Sequence, residues 1–417
     1  MGHYLFTMWD GGGNLPPELT VARQLVEAGH AVSVLGDPVL APDALAAGAR
    51  EVRAWIDAPH HVTRRAEDDY TRDWAQRTPM GVLAALMDTL IVGPAPTFAA
   101  ETSAAIADLQ PDVLVSSFPL FGAMLAAEAR EVPFAVLVPN IVALPVDGMP
   151  PYGTGLRPPR GRLGRTRDRT ANALVERLWN KGLPALNEAR AALDLAPLQR
   201  LLEQYDRAER ILALTSAAFD FPAVLPPNVR YVGPQLDEPS WVEPWTPPVD
   251  DRPFVLVAMS TTFMDHIDQL QRATTALGIL GVHGLVTTGP AVDPEAIEAP
   301  EGVVVVRSAP HRDVLAHADA LVTHGGHGTV MKGLVAGVPI VCMPTGRDQP
   351  DNAARIAHRG AGIKVSRNAS PAKIASALRK VLDDPSFKTA ATRLGEQAEV
   401  DAGSGAALRE LEALASH

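Results

Sequence analysis

The fold of this chain is decided by residues 321 to 362, LVTHGGHGTVMKGLVAGVPIVCMPTGRDQPDNAARIAHRGAG. The apolar run 320–323 predicts a strand, and the turn 324–329 that follows it contains three glycines. Apolar residues spaced through 330–336 predict a helix that ends at Gly337. The run 339–343 predicts a second strand, which a polar loop connects to another helix. A strand–turn–helix–strand unit of this length implies a parallel sheet.

The glycine-rich turn is suited to binding an anion. Glycine lets the backbone approach a ligand closely, and a helix N-terminus offers free N–H groups at the positive end of the helix dipole. Thr329 can cap the helix or bond a phosphate oxygen, and His324 can donate to a second oxygen. The alternative is a turn whose glycines only relieve steric crowding, because short glycine patterns are weak signals.

The longer pattern H-x-G-x-G-T, G-V-P and P-x-x-x-D-Q-x-x-N-A resembles the donor-binding signature of the UDP-glycosyltransferase superfamily, in particular its bacterial natural-product branch. The matching residues are His324, Gly326, Gly328, Thr329, Gly337, Val338, Pro339, Pro344, Asp348, Gln349, Asn352 and Ala353. The resemblance implies that His324 and the amides of 326–329, including that of His327, hold the diphosphate of a nucleotide sugar. It implies that Asp348 and Gln349 bond the sugar hydroxyls.

One position departs from the signature. The family often has a glutamate three residues after the threonine, where it bonds the nucleotide ribose, and this chain has Lys332 there. Lys332 either adds positive charge near the phosphates or faces solvent. The choice between a UDP and a dTDP donor therefore stays open.

Composition and charge narrow the class of protein. A chain of 417 residues, 47% hydrophobic and 20% charged, predicts a globular protein of two or three domains. The net charge of −11 argues against a general nucleic-acid binder. The single cysteine, Cys342, excludes an internal disulfide and suits the reducing cytoplasm; its apolar strand favours a core role over a nucleophilic one. We expect neither a signal peptide nor an apolar run that spans a bilayer.

The N-terminal stretch predicts a second unit of the same kind. A strand at 4–8, a glycine-rich turn at 9–14, a helix at 17–28 and a strand at 31–35 form the opening of a Rossmann-like half. The turn is not G-x-G-x-x-G, and the nearest acidic residue, Asp37, precedes a proline. Dinucleotide binding is therefore disfavoured.

The same opening resembles the family motif G-H-x-x-P followed by a helix and A-x-G-H. In the family this histidine deprotonates the acceptor, and an aspartate after the strand P-D-x-x-V orients it. Here the histidine position is Asn14, whose amide does not titrate, and the aspartate position is Ser117. Both halves of the dyad are replaced, which is consistent because an asparagine needs no carboxylate to set a tautomer. Gly13, beside Asn14, is assigned to the donor site.

The missing dyad leaves three hypotheses. In the first, Asn14 only positions an acceptor that needs little deprotonation, such as an acidic phenol or an amine, since general base catalysis contributes roughly 10²–10⁴-fold. Asp10 on the same turn is the leading substitute base, unless it caps the turn instead. His60 or His61 is a less favoured substitute, with a surface role as its alternative. In the third hypothesis the protein binds a nucleotide sugar without catalysis.

Three other regions carry weaker signals. Residues 37–110 predict helices and loops, and the resemblance implies that they line the acceptor pocket. Residues 145–169, rich in proline, glycine and arginine, predict a long loop that either flanks the acceptor or is simply solvated. The proline-rich and acidic stretch 235–252 predicts an extended linker, with Trp241 and Trp245 pinning it to a domain surface.

The second domain adds residues to the predicted donor site. Its first strand, 254–259, leads into Ser260, where the family usually has a turn whose hydroxyl meets the diphosphate; Thr261 and Thr262 are assigned that role. His311 matches the place where relatives hold the nucleotide base. The histidines in this half lack H-E-x-x-H spacing, and no D-x-D pair ends a strand, so we expect no metal. The nucleotide sugar is a co-substrate, and no other cofactor is expected.

The sequence thus predicts an α/β protein, and the resemblance implies two Rossmann-like domains facing each other across a cleft in a GT-B-like fold. We expect an acceptor domain at 1–234, a linker at 235–252, a nucleotide-sugar domain at 253–400, and a final helix at 401–417 that crosses back to the first domain. The implied activity is inverting, metal-independent transfer of a hexose to a small aromatic or otherwise hydrophobic acceptor. The donor and the acceptor are the expected partners, with no membrane insertion; a homodimer is left open.

Two rival functions are compatible with this architecture. A nucleotide-sugar epimerase or hydrolase of similar architecture is disfavoured because no paired carboxylates stand in an identifiable cleft motif. A catalytically silent helper of another glycosyltransferase is the alternative outside that class. The intact pair Asp348 and Gln349 argues against it, because a silent protein has no use for sugar recognition.

Overall fold

The structure, a computed structural model, describes residues 1–63, 65–76, 78–238, 244–247 and 252–415. Its strands are β1 (His3–Thr7), β2 (Ala31–Gly36), β3 (Glu51–Ala54), β4 (Val113–Ser117), β5 (Phe134–Val138), β6 (Arg210–Ala213), β7 (Val229–Tyr231), β8 (Phe254–Ala258), β9 (His283–Thr287), β10 (Val303–Val306), β11 (Ala320–Thr323), β12 (Ile340–Cys342) and β13 (Gly362–Lys364).

The α-helices of the described residues lie mainly between these strands. They are α1 (Leu15–Glu27), α2 (Ala41–Ala46), α3 (Pro79–Leu86), α4 (Ala95–Leu109), α5 (Phe121–Ala129), α6 (Gly161–Trp179), α7 (Leu183–Ala191), α8 (Ile267–Leu280), α9 (His311–Leu315), α10 (His327–Val335), α11 (Gln349–Arg359), α12 (Pro371–Asp383), α13 (Pro385–Ala402) and α14 (Ala406–Ala415).

The strands form two parallel sheets with one topology. The first sheet has the order β3-β2-β1-β4-β5-β6-β7, and the second has the order β10-β9-β8-β11-β12-β13. The direction of winding reverses between β1 and β4 in the first sheet, and between β8 and β11 in the second. Open parallel sheets bind ligands beyond the carboxyl ends of the strands at such a point. The topology therefore fixes where two binding crevices can form, and the predicted α/β class is confirmed.

Both sheets are buried on both faces, as their nearly continuous apolar strands require. In β8, Val255 and Val257 pack with α8 and α12 on one face, and Leu256 and Ala258 pack with α10 and α11 on the other. Cys342 in β12 is fully buried, and burial raises the pKa of its thiol to about 12. This agrees with its predicted role in the core.

The C-terminal helices connect the two sheets. Helix α13 packs so closely on α10 that a Cβ added at Gly395 would lie 1.8 Å from the carbonyl oxygen of Leu334. Helix α14 then buries Leu411 and Leu414 in the core of the first sheet, beside Tyr4. The predicted return of the chain to the first domain is confirmed.

Three secondary-structure predictions need correction. Helix α10 begins at His327 rather than at residue 330, because Gly326 serves as its N-cap. The predicted loop 145–169 ends at α6, since helix-favouring residues follow Gly161 and form an amphipathic helix. The edge strand β3 was missed because its four residues include the charged Glu51 and Arg53 and form no apolar run.

The predicted linker is described only in part. Trp241 lies outside the described residues. Trp245 stacks on Phe254, the first residue of β8, with ring centroids 5.4 Å apart and planes 17° from parallel. This contact fixes the linker to the second sheet at that point, as predicted for Trp245.

One helical stretch, Met80–Leu109, is long and apolar enough by length and composition to cross a membrane, where the sequence analysis expected none. A π-helical turn at Met87–Ile91 and the non-helical residues 92–94 interrupt it. Within α4, Phe98 is fully buried in the core of the first sheet. Packing on α5 thus accounts for the apolar character of α4.

Candidate active site

A cavity with an empty volume of about 1170 Å³, including its open mouth, lies between the two sheets at their switch points. Every residue that the sequence assigned to the donor site lines it: Gly13, Thr261, Thr262, His311, His324, Gly326, His327, Gly328, Thr329, Asp348 and Gln349. Asn14 lines it as well, from the side of the first sheet. Of the three predicted catalytic residues, Asp10 and Ser117 are outside its lining.

The N-terminus of α10 forms one wall of the cavity. Its first-turn residues, His327, Gly328 and Thr329, carry N–H groups that have no partner within the helix. A Cβ added at Gly328 would meet nothing within 4 Å, so this turn faces open space. A Cβ at Gly326 would lie 2.7 Å from Nε2 of His324, so only glycine leaves room for this imidazole over the turn. The arrangement is an anion site of the kind expected at a helix N-terminus.

His324 acts there as a neutral group. Burial, with the nearby His266 and Arg347, lowers the pKa of His324 to about 3. At neutral pH the ring can therefore donate one hydrogen bond to a phosphate oxygen, but it brings no positive charge. The charge must come from another residue.

That residue is Arg347, which the sequence analysis missed. Its Nε and Nη2 donate to the two carboxylate oxygens of Asp73, each at 2.7 Å, and its Nη1 lies 3.4 Å from Oγ1 of Thr262. Arg347 has a φ of +55°, an uncommon backbone conformation for arginine that is held by this bidentate pair. The pair joins the second sheet to a loop of the first and leaves a cation in the cavity wall. Only its position directly before Asp348 in the sequence could have indicated that Arg347 belongs to the site.

Asp348 and Gln349 follow at the next edge of the cavity. Asp348 accepts a hydrogen bond from Nδ2 of Asn352 at 2.7 Å, and burial raises its pKa to about 6. Gln349 has its Oε1 fixed by the main-chain N–H of Thr345 at 2.8 Å. Main-chain N–H groups of the loop before α6 donate to the carboxylate of Asp351 on the adjoining turn of α11. This loop therefore flanks the end of the cavity that the resemblance assigns to the sugar.

The side chain of His327 has a role that the sequence did not predict. Its Nε2 lies 2.8 Å from Oγ1 of Thr215, which follows β6 of the first sheet. Burial lowers the pKa of His327 to about 3, so this contact is between neutral groups. The side chain connects the two sheets, and only the main-chain N–H of His327 belongs to the anion site.

The opposite end of the cavity contains His311, whose Nε2 lies 3.1 Å from Oγ1 of Thr287. Lys332 lies nearby and pairs with Glu238 of the linker at 2.8 Å. Glu238 also accepts a hydrogen bond from the main-chain N–H of Arg312 at 2.8 Å. Of the two alternatives left open for Lys332, exposure to solvent is wrong, because its side chain is only 10% exposed. Nothing in the sequence marked Glu238 as its partner.

On the side of the first sheet, Asn14 is the polar residue that faces the cavity. It ends the short helical turn Gly12–Asn14 and precedes α1, and its side chain makes no capping hydrogen bond. A Cβ added at Gly12, which has a φ of +62°, would lie 2.1 Å from Cγ2 of Thr262. The turn therefore lies directly against the hydroxyl-bearing loop after β8, and it holds Asn14 across the cavity from the donor residues.

Asp10 is placed as a turn-shaping residue. It is 1% exposed, and its carboxylate accepts hydrogen bonds from the main-chain N–H groups of Gly12 at 3.1 Å and Thr63 at 3.3 Å. Its own N–H donates to Asp37. The structure thus gives Asp10 the capping role that was weighed against a catalytic one.

The two histidines proposed as less favoured bases lie outside the cavity lining. His61 is 1% exposed, with Nε2 3.3 Å from the carbonyl oxygen of Thr89. Burial lowers the pKa of His61 to about 4. The surface role that was the alternative for His61 is therefore wrong. His60 has its Nε2 2.7 Å from the carbonyl oxygen of Trp55.

Ser117 has a partner that the sequence analysis missed. Its Oγ donates to Oε2 of Glu18 at 2.5 Å, and both residues are buried. Burial raises the pKa of Glu18 to about 8, so this carboxyl is largely protonated at neutral pH. Glu18 lies one helical turn after Asn14 in α1, on the same face. An acidic residue within the apolar face of a helix was the available signal.

Among the residues that the structure describes, no group of three or more histidine, cysteine, aspartate or glutamate side chains is arranged to hold a metal ion. The positive groups of the described chain that line the cavity are the first turn of α10, Arg347, Arg307 and the paired Lys332.

Comparison with known proteins identifies the family. The family described as UDP-glucoronosyl and UDP-glucosyl transferase matches residues 167–398, more than half of the chain. The chain is 31% identical over 398 residues to 4'-demethylrebeccamycin synthase from Lentzea aerocolonigenes, covering 93% of each protein. It is 25% identical to demethyllactenocin mycarosyltransferase from Streptomyces fradiae, covering 100% of this chain and 87% of that protein.

Solved structures agree on the fold. The glycosyltransferase of kitacinnamycin superimposes with a TM-score of 0.76 at 21% identity, covering 99% of this chain and 98% of the other. The glycosyltransferase VinC in complex with dTDP gives a TM-score of 0.71 at 18% identity, covering 99% of each. The chain therefore belongs to the UDP-glucoronosyl and UDP-glucosyl transferase family, as a GT-B glycosyltransferase of the natural-product type that uses nucleotide sugars.

Proposed function

We propose that this enzyme moves a hexose from a UDP- or dTDP-linked donor to a small aromatic or otherwise hydrophobic acceptor, with inversion and without a metal ion. One observation carries the proposal. A single cavity brings the N-terminus of α10 and the pair Asp348–Gln349 of the second sheet to face Asn14 of the first. Donor and acceptor can then meet from opposite sides, as a single displacement with inversion requires.

The departing diphosphate would be stabilised by fixed groups of the chain. The first-turn N–H groups of α10 and the hydroxyls of Thr329 and Thr261 offer hydrogen bonds, and Arg347 adds a cation. Groups already oriented in a partly buried site stabilise developing charge without reorganising. This set supports a reaction that needs no metal to neutralise the leaving group.

The acceptor side supports a substrate that loses its proton easily. Asn14 can orient a hydroxyl or an amine by hydrogen bonding, but an amide cannot take up the proton. Phe118, directly after β4, is half-buried and stacks on Tyr205 with centroids 4.7 Å apart and planes within 10° of parallel. Tyr70 and Met80 are exposed in the region that the resemblance assigns to the acceptor. None of these four residues is among those that line the cavity, so the proposed preference for a phenol or an aryl amine over an aliphatic alcohol rests on the lack of a titratable base at Asn14.

The test is a product assay by mass spectrometry. UDP-glucose and dTDP-sugars would be offered against phenols, aryl amines and aliphatic alcohols, with and without a chelator. We expect transfer to phenols or aryl amines that is insensitive to the chelator. Asn14→Ala should lower it about tenfold, the effect of one lost positioning hydrogen bond.

Asp10→Asn is the control, with thermal unfolding to confirm that the variant folds. It should retain transfer, because Asp10 shapes the turn through main-chain hydrogen bonds. A folded Asp10→Asn protein without transfer would make Asp10 the substitute base. A preference for aliphatic alcohols would contradict the proposed acceptor class.

A further inference from the structure

The linker residue Glu238 reaches into the cavity and is held there from two sides. Its Oε2 pairs with Nζ of Lys332 at 2.8 Å, and its Oε1 accepts the main-chain N–H of Arg312 at 2.8 Å. The side chains of Glu238 and Lys332 are only 21% and 10% exposed, and both line the cavity. A half-buried, oriented carboxylate at a cavity wall is a candidate for ligand recognition.

The position of the pair relates it to one part of the donor. Lys332 lies three residues after Thr329 in α10, so both side chains lie on the same face of the helix, about one turn apart. Beyond the pair, Ser308 and His311 line the far end of the cavity. A diphosphate at the N-terminus of α10 would direct its nucleoside along this face. The pentose ring would then lie beside Glu238, and the base beside Ser308.

The chemistry of the pair suits a vicinal diol. An ionised carboxylate has about four acceptor positions, of which the two observed contacts use one on each oxygen. Each oxygen therefore keeps a position for a hydroxyl hydrogen, and the 2'- and 3'-hydroxyls of a ribose are spaced to use both. Lys332 neutralises Glu238, so that the carboxylate does not repel the nearby diphosphate.

We propose that Glu238, held by Lys332, binds the 2'- and 3'-hydroxyls of the donor ribose and makes the enzyme select ribonucleotides over 2'-deoxyribonucleotides. The inference rests on the proposed function, because it needs a nucleotide sugar in this cavity. It assigns a specificity-determining role to a linker residue, and it favours a UDP donor over a dTDP donor.

Calorimetric titration of the free enzyme with UDP, dUDP and dTDP tests this without a product assay. UDP and dUDP share the base and differ only in the 2'-hydroxyl. The wild type should bind UDP about tenfold more tightly than dUDP, the effect of one hydrogen bond to a charged group. Glu238→Gln should lower the affinity for UDP more than that for dUDP, which keeps only the contact of its 3'-hydroxyl, so that the preference narrows. Lys332→Gln should weaken both and reduce the preference.

Asp237→Asn is the matched control, because Asp237, the adjacent acid of the linker, lines the same cavity but pairs with Arg23 of α1 rather than with Lys332. It should keep the preference for UDP, and thermal unfolding would confirm that all variants fold. Equal binding of UDP and dUDP by the wild type, or equal weakening of both by Glu238→Gln, would overturn the inference and leave the proposed transfer intact. A wild type that binds no nucleotide at all would overturn both.

Discussion

The two sheets share the same order of strands around their switch points and open on the same cleft. Their polar groups differ: those at one switch point face the cavity, and those at the other are bonded within the protein. At the second sheet, the first turn of α10 and the side chains of Thr329 and Asp348 are half-buried and face the cavity. At the first sheet, Asp10 is bonded to main-chain N–H groups and Ser117 to Glu18, all of them buried. Of the predicted catalytic residues, only Asn14 faces the cavity from that side.

The contrast separates what topology decides from what side chains decide. The strand order places a crevice at each switch point. Whether the crevice does chemistry depends on whether its polar groups keep hydrogen-bonding capacity for a ligand. Groups that are satisfied within the protein contribute rigidity, because a buried polar group without a partner is strongly destabilising. The second crevice is thus built to bind charge, and the first to hold a turn in place.

The strongest test of the ligand-facing side is Asp348→Ala. This change removes a carboxylate that we assign to the sugar hydroxyls, so kcat/KM for transfer should fall by about 100-fold. Binding of UDP alone should be unaffected, because the nucleoside and the diphosphate contact other residues. The two readouts are the rate of product formation and the calorimetric affinity for UDP.

Asp348→Asn is the matched variant, since its amide keeps the shape of the side chain and one acceptor atom. It should fall between the wild type and Asp348→Ala. Full activity in Asp348→Ala would show that Asp348 does not bind the sugar. The contrast between the two switch points would then fail.

The next test fills the space that Gly326 leaves for His324. In Gly326→Ala the added Cβ would lie 2.7 Å from Nε2 of His324, so the imidazole must move away from the anion site. We expect the affinity for UDP to fall about 30-fold, the loss of one well-placed hydrogen bond and some turn geometry. Gly328→Ala is the comparison, because a Cβ there meets no protein atom within 4 Å and leaves His324 in place, so any loss reports on the space at the helix N-terminus itself. Equal losses in the two variants would show that the turn, rather than His324, determines binding.

The residues that the sequence assigns to the donor come together in the fold because the donor half depends on local patterns. A strand, a glycine turn and a helix N-terminus lie within one continuous stretch, and all residues assigned to the donor line one cavity. The pattern did not show where side chains point. His327 was assigned to the donor, but its imidazole reaches Thr215 of the other sheet, more than a hundred residues away in the chain.

The residues that sequence reasoning missed act through distant partners. Arg347 pairs with Asp73, Lys332 with Glu238, and Ser117 with Glu18, all contacts between separate segments. Spacing along the chain carries no information about such pairs. The interpretation of Asp10 was undecided for the same reason, since its role depends on the N–H of Thr63, which only the fold brings near.

A smaller effect is expected from the pair that joins the two sides, Arg347 and Asp73. Burial raises the pKa of Asp73, but the guanidinium of Arg347 outweighs it and holds this pKa below its ordinary value. Arg347→Ala and Asp73→Ala should each lower the rate of transfer about tenfold, because either change leaves a partly buried charge unpaired beside the donor. Asp73 reaches the site only through Arg347, so the double variant should be no slower than Arg347→Ala.

A double-mutant cycle on the transfer rate measures this coupling. Arg200→Ala, which breaks an exposed pair with Glu203, is the control and should leave the rate unchanged. If the rate loss of the double variant equals the product of the two single losses, Asp73 and Arg347 act independently. The two switch points would then not be linked by this contact.

The smallest effect is expected at Glu18. It tests whether this carboxyl at the first switch point is buried and neutral, as its contacts indicate. The pKa of Glu18 is about 8 in the folded protein and about 4.5 in the unfolded chain. Between these pH values the folded protein holds a proton on Glu18 that the unfolded chain has lost. The contribution of Glu18 to the free energy of unfolding is therefore highest at low pH and decreases as the pH rises toward 8. Glu18→Gln stays neutral, and its free energy of unfolding should therefore decline less than that of the wild type between about pH 5 and pH 8.

Denaturant unfolding of the two proteins across this range provides the measurement, and the contribution of Asp37, which burial also shifts, cancels in the difference. Transfer by Glu18→Gln should stay within about threefold of the wild type, since Glu18 is 2% exposed and bonds to Ser117 rather than to a ligand. Parallel stability curves would mean that Glu18 is ionised in the fold. A large loss of transfer with an unchanged fold would instead place Glu18 in the path of the acceptor proton, and the first sheet would then take part in the chemistry after all.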